Sequence, residues 1–191
     1  DIVWRNTGDG KNLLWYMDGE TRLSYQYFTA EPNQAWKIVG AGDFNSDGKP
    51  DILWRNSSTG SNRVWYMNGA TVTGTANLLT VTDQQWTIVG INDFNGDGKP
   101  DIVWRNTGNG RNLIWFMNGV TRTSYKYLNF DLIDQNWQIV GTGDFNNDVN
   151  VDILWRNNTN GRNRVWYLNG ATVIGTTDVR EVAGSWRIVG Q

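Results

Sequence analysis

The feature that most limits how this chain can fold is a period of about 50 residues that runs through its whole length. The stretch Asp43-Phe44-Asn45-Ser46-Asp47-Gly48-Lys49-Pro50-Asp51 returns as Asp93 to Asp101 after 50 residues and as Asp144 to Asp152 after 51 more. Asp1 stands where the ninth position of a fourth copy falls. All 12 tryptophans obey the same period: Trp4, Trp54, Trp104 and Trp155; Trp15, Trp65, Trp115 and Trp166; Trp36, Trp86, Trp137 and Trp186. A unit that recurs in this way cannot bury its apolar faces alone and must stack on its neighbours. A length of 191 residues then allows one core and one domain.

Within each repeat the local signals are those of strands. Asp1 to Asn6 is apolar on both faces and ends in the turn Thr7-Gly8-Asp9-Gly10. Asn12 to Met17 is a second strand, Asp18-Gly19 a hairpin turn, and Thr21 to Phe28 a more polar third strand. A polar loop from Glu31 to Ala35 leads into Trp36-Lys-Ile-Val-Gly40, which runs into the first acidic loop. No stretch sustains a 3.6-residue period. The chain is therefore expected to be all-β, and a 50-residue repeat of four short antiparallel strands is the signature of a β-propeller blade. Copies one and three share Asn-Leu-Leu/Ile-Trp and Thr-Arg-x-Ser-Tyr, while copies two and four share Asn-Arg-Val-Trp-Tyr and Gly-Ala-Thr-Val. The alternation reads as a doubled two-blade unit. It favours an even number of blades: four in a monomer, or eight if two chains exchange their ends.

The acidic loop has the donors of a calcium site. Oxygen-bearing side chains stand at positions 1, 3, 5 and 9, a main-chain carbonyl is available at position 7, and glycine opens the turn at position 6. The candidate ligands are Asp43, Asn45, Asp47, Lys49 (through its carbonyl) and Asp51; Asp93, Asn95, Asp97, Lys99 and Asp101; and Asp144, Asn146, Asp148, Asn150 and Asp152. Two to three Ca2+ ions in a structural role are expected. Val149 and Val151 replace Gly and Pro in the third loop, which makes that site the weakest, because a β-branched residue resists a positive φ. The competing reading is a hairpin turn rich in Asp and Asn for its own backbone reasons.

Composition excludes several classes. The chain has neither His nor Cys, so a disulfide framework, thiolate chemistry and the usual general base are missing, and no catalytic role is expected. A net charge of -2 with scattered Lys and Arg gives no footprint for nucleic acid. No apolar run suits membrane insertion. The opening residues are strand-like rather than a signal peptide, so a processed chain or fragment is expected, and loops of modest charge suit the calcium levels outside cells, hence a secreted protein.

The combined motif Asp-Phe-Asn-x-Asp-Gly-x-Pro-Asp-Ile-x-Trp-Arg-Asn resembles the FG-GAP or VCBS repeat of integrin-α-like propellers, end to end. The Gly-His and Trp-Asp pairs of WD40 repeats and the Gly-Gly doublet of kelch repeats are absent. The resemblance implies a calcium loop between the innermost and second strands of each blade. Residues 34–83, 84–134 and 135–183 would be whole blades, and residues 1–33 with 184–191 a blade assembled from both ends. The pairing of Trp186 to Gly190 beside Asp1 to Asn6 would close the ring. Relatives include adhesion propellers, fungal and bacterial sugar-binding propellers, and repeats appended to secreted enzymes.

On that topology Trp36, Trp86, Trp137 and Trp186 begin the inner strands at the end opposite the calcium loops. The strand ends Arg5-Asn6, Arg55-Asn56, Arg105-Asn106 and Arg156-Asn157 emerge beside them. Indole next to Arg and Asn is the chemistry of sugar recognition, with C–H groups stacking on the ring and hydroxyls hydrogen-bonded at the rim. The same residues could equally tie blades together through loop carbonyls and cap the core. The expected function is that of a secreted, calcium-binding lectin-like module for a glycan or glycoprotein; the alternatives are an adhesion or protein-interaction scaffold and an accessory domain of a polysaccharide-active enzyme.

Overall fold

The computed structural model describes residues 1–130 and 134–183. Among them there is no helix, and fifteen strands form four antiparallel sheets. The first holds β1 (Ile2–Arg5), β2 (Asn12–Asp18) and β3 (Thr21–Phe28). The second holds β4 (Trp36–Gly42), β5 (Asp51–Asn56), β6 (Asn62–Asn68) and β7 (Thr71–Leu78). The third holds β8 (Trp86–Asn92), β9 (Asp101–Asn106), β10 (Asn112–Asn118) and β11 (Thr121–Tyr127). The fourth holds β12 (Trp137–Gly143), β13 (Asp152–Asn157), β14 (Asn163–Asn169) and β15 (Thr172–Val179). Each sheet is a sequential meander and each is a blade, so the protein is all-β with β-propeller blades, as its period requires. The chain divides into two compact units of two blades, residues 1–84 and 85–191, a boundary at which the doubled sequence pattern also halves.

Packing explains why the second strand of each blade is apolar on both faces. All six residues of β5 and of β9 are buried, each strand lying between two others of its sheet. A blade offers a tryptophan face and an aliphatic face, and these meet. In the second unit Val103, Ile114 and Leu128 of the third blade pack into one cluster with Trp137, Ile139, Trp155, Trp166 and Leu168 of the fourth. In the first unit Phe28 packs against Ile52, Trp54, Trp65 and Met67 of the second blade. Within each blade the two central indoles touch, with ring centroids 4.6–4.8 Å apart.

The core assignment of these indoles holds for Trp54, Trp65, Trp104, Trp115, Trp155 and Trp166, which are buried. Trp4 differs: it is 47% exposed, because β1 pairs only with β2 among the described residues, whereas its counterparts β5, β9 and β13 each carry an inner strand as well. The expected inner strand at Trp186 to Gly190, and with it the ring closure and the exchanged-end dimer, lies outside the described residues. In the second unit the inner strands approach so closely that a Cβ on Gly90 would sit 2.8 Å from the Thr142 methyl group, which is why the Ile-Val-Gly run ends in glycine.

Candidate calcium loops and ligand face

Each acidic loop joins an inner strand to the second strand of its blade, β4 to β5, β8 to β9 and β12 to β13. The loop is wound by its own side chains. In the first copy the Asp47 and Gly48 amides donate to the two Asp43 carboxylate oxygens at 3.1 and 2.8 Å, and the Lys49 amide donates to Asp47 Oδ1 at 3.0 Å. Asn45 Oδ1 accepts from the Asp47 amide at 3.0 Å. The second loop repeats this with Asp93, Asn95 and Asp97, and the third with Asp144, Asn146 and Asp148. The oxygens at positions 1, 3 and 5 are thus held by the loop's own amides, Asp93 Oδ1 by two of them, those of Gly96 and Asp97.

The ninth position has a different duty. Asp51 is fully buried and divides its oxygens between the amides of Phe44 and Met67, at 3.0 and 2.9 Å. Asp101 does the same with Phe94 and Met117, and Asp152 with Phe145 and Leu168. Asp1 accepts from the Met17 amide at 2.9 Å, which confirms it as the ninth position of a fourth copy. This carboxylate pins the loop to the third strand of its blade, a role invisible in the loop sequence alone.

Burial raises the pKa of Asp51, Asp101 and Asp152, and the carboxylates at positions 5 and 1 of the same loop raise it further, against the two amides that lower it. For Asp101 the result is about 6. The three acids of a loop thus feel one another, and a hard divalent cation answers both that repulsion and the all-oxygen donor set. Among the described residues no three carboxylates gather about one point as ligands; the oxygens are held by the loop's own amides. By donor type alone the residues suit calcium, which Asp43, Asn45, Asp47 and the Lys49 carbonyl, and their equivalents, would hold.

The turn takes two left-handed residues rather than the one at position 6 alone. Position 4 is at φ 60° in Ser46, 74° in Gly96 and 62° in Asn147, and position 6 is at 81° in Gly48, 78° in Gly98 and 68° in Val149. Val149 adopts the glycine conformation with its side chain 93% exposed, so no packing repays the strain, which is about 1–2 kcal/mol for an L-residue. Val149→Gly is expected to raise the chelated protein's stability by up to about 1 kcal/mol, part being returned as unfolded-chain entropy, and to tighten calcium at this loop; a urea titration and a calcium titration check both.

At the opposite end of the blades the structure separates residues that the sequence groups together. In the register of each blade Trp36 faces Asn56, Trp86 faces Asn106 and Trp137 faces Asn157, so indole, Arg and Asn do meet at one end. Yet the arginines are turned inward. Arg55, Arg105 and Arg156 are buried, and each donates through Nη1 to a turn carbonyl (Gly60, Gly110, Gly161) and to the Oδ1 of Asn62, Asn112 or Asn163. Nη2 of Arg55 reaches the carbonyl of Val81, and that of Arg156 the carbonyls of Val182 and Ala183. Arg5 repeats the pattern with Gly10, Asn12 and the Glu31 carbonyl. Arg5 also lies 5.0 Å from the Trp54 ring centre, and Arg105 4.9 Å from that of Trp155, so each guanidinium stacks on the next blade's indole. Asn6, Asn56, Asn106 and Asn157 close the adjoining turns by accepting amides two and three residues on. Of the two uses left open for these pairs, tying is the one in place.

The tryptophans divide into two kinds, following the alternation of the blades. The Arg63 guanidinium covers Trp36 at 4.0 Å and pairs with Glu31. Arg164 lies 5.3 Å from Trp137, which is buried. In the third blade Leu113 occupies the place of that arginine, and half-buried Trp86 meets the Tyr127 ring at 6.2 Å instead. Trp186 lies outside the described residues. On the other face of β8 from Trp86, a cleft of about 270 Å³ is lined by Thr87, Val89, Arg105, Thr107, Gln135, Gln138 and Ile139. Gln138 is exposed and makes no side-chain hydrogen bond among the described residues. Gln135 recurs as Gln34 and Gln84, and Thr107 as Thr7, whereas Thr87 and Gln138 occupy the variable position after the inner-strand tryptophan, where Lys37 stands in the second blade; that variation was the available signal.

The FG-GAP-like repeat matches the chain three times, over residues 1–54, 43–104 and 93–155. No curated protein matches it. The three matches run through more than three quarters of the sequence and place each acidic loop at the seam between successive repeats, where the strands put it: the chain belongs to the FG-GAP-like repeat family, whose propellers are interaction modules.

Proposed function

We propose that the protein is a secreted, calcium-stabilised binding module whose ligand is a carbohydrate. The observation that carries this reading is the cleft at the inner-strand ends of the third and fourth blades. It is open and mixed in character, and Thr87, Thr107, Gln135 and Gln138 bring polar groups to it, the Thr87 and Thr107 hydroxyls already donating to the carbonyls of Arg105 and Gln85. A single shallow site of this kind binds weakly, and useful avidity arises when repeated sites engage a multivalent surface. Calcium bound by the acidic loops would supply charge neutralisation to the fold rather than chemistry to the ligand.

The test is a glycan array followed by calorimetry on the best ligand. Gln138→Ala is expected to weaken binding at least tenfold, while the melting temperature shifts by no more than a few degrees. A protein that binds no glycan but captures a protein ligand returns the module to the adhesion-scaffold reading, which the family also accommodates.

A further inference from the structure

The outer strand of the third blade carries a positively charged aromatic ridge that neither the acidic loops nor the cleft uses. Tyr125 and Tyr127 alternate onto one face of β11, opposite Trp115 and Leu113 of β10. They are 53% and 36% exposed. Their rings meet nearly edge-on, 6.1 Å apart at 79°, and Trp86 continues the row beyond Tyr127. Arg111 stacks on Tyr127 at 4.0 Å, and Arg122 lies 5.0 Å from both Trp115 and Tyr125.

The two guanidiniums are held by aromatic faces alone. Among the described residues neither has a carboxylate partner, although other cations at the outer strands do. Arg162 occupies the Arg111 position in the fourth blade and pairs with Asp178, and Lys11 in the first blade pairs with Asp9 at 2.8 Å. The reason can be read from the register: Tyr127 faces Leu113, whereas the equivalent Asp178 faces Arg164. The third blade has an aromatic ring where the fourth has the neutralising acid. A stacked guanidinium keeps its N–H groups in the ring plane, directed outward as a preformed fork for a carboxylate.

From this juxtaposition we propose that the ridge of Arg111, Arg122, Tyr125, Tyr127 and Trp86 binds the acidic residues of a polyuronate-type glycan. The carboxylates sit on the guanidinium edges and the sugar rings lie against the phenol and indole faces. Aromatic faces select a ligand with C–H surfaces, and the unneutralised arginines select one that is anionic. The first blade repeats the Tyr25–Tyr27 pair and Arg22, but its Lys11 is already satisfied, so the stronger site is on the third blade. This assignment rests on the carbohydrate reading above and specifies the class of sugar.

The experiment compares polygalacturonate with its fully methyl-esterified form, which keeps the backbone and removes the charge. The intact chain should prefer the acid at least tenfold at low salt, and the preference should shrink as salt rises. The double variant Arg111→Gln/Arg122→Gln should abolish the preference while leaving the weak binding of the ester and the melting temperature unchanged. Tyr127→Ala should weaken both forms. Equal affinity for the two polymers, or a preference that survives in the double variant, overturns the acidic-glycan assignment while the carbohydrate reading stands on its own array result. Equal Arg-dependent binding of a poly-glutamate peptide would overturn the sugar part. Failure to bind any glycan, neutral or acidic, removes both.

Discussion

Chelation of calcium is expected to lower the melting temperature by 10 °C or more. A ligand that binds only the native state stabilises it by about 2.7 kcal/mol when present at 100 times its dissociation constant. Two strong loops, Asp43 to Asp51 and Asp93 to Asp101, give roughly twice that, and each kcal/mol is worth about 2–4 °C in a chain of this size. The physical source is the charge in each loop: burial first, and then the carboxylates at positions 5 and 1, raise the ninth-position acid, to about 6 in Asp101. Differential scanning calorimetry with excess calcium and then with excess chelator measures the shift. An unchanged transition would mean that the amides alone hold the loops, as the turn-forming reading of the sequence has it.

The largest effect of a single substitution is expected at Arg105. Its guanidinium serves Gly110, Asn112 and Asp134 at 3.0, 3.2 and 3.4 Å and stacks on Trp155. A hydrogen bond to a charged group contributes about 1.5–3 kcal/mol, and buried acceptors left without a donor add their desolvation. Arg105→Ala should therefore destabilise the protein by roughly 3–5 kcal/mol, with the stacking adding to the loss. Urea unfolding checks this. A variant of unchanged midpoint that has lost glycan binding would move Arg105 from the framework to the ligand.

The turn that Arg105 ties shows how local and tertiary demands meet. In the second blade the Gly60 turn sits at φ 75°, and a Cβ there would lie 1.9 Å from the Val81 carbonyl oxygen. The glycine is needed twice, for the left-handed turn and for the returning loop that docks on it through the Val81 amide at 2.9 Å. Only the first need can be read from the residues around Gly60, since Val81 is far away in sequence.

The sequence by itself determined the period, the strands and their order, because a 50-residue repeat of short, turn-bounded strands must stack its apolar faces on neighbouring copies. It also placed the oxygen donors of the acidic loops and the strain at Val149, since both are matters of neighbouring residues. What only the tertiary structure decided is which copies of a repeated residue are spent and which are spare. Arg55, Arg105 and Arg156 are consumed by carbonyls 26 to 29 residues away, and Trp36 by the guanidinium of the next hairpin, while Trp86 escapes because Leu113 stands where the second and fourth blades have arginine. Repetition makes such residues look alike along the chain. Burial and hydrogen bonding are set by groups brought together across a sheet and between blades, and that proximity carries no local signal.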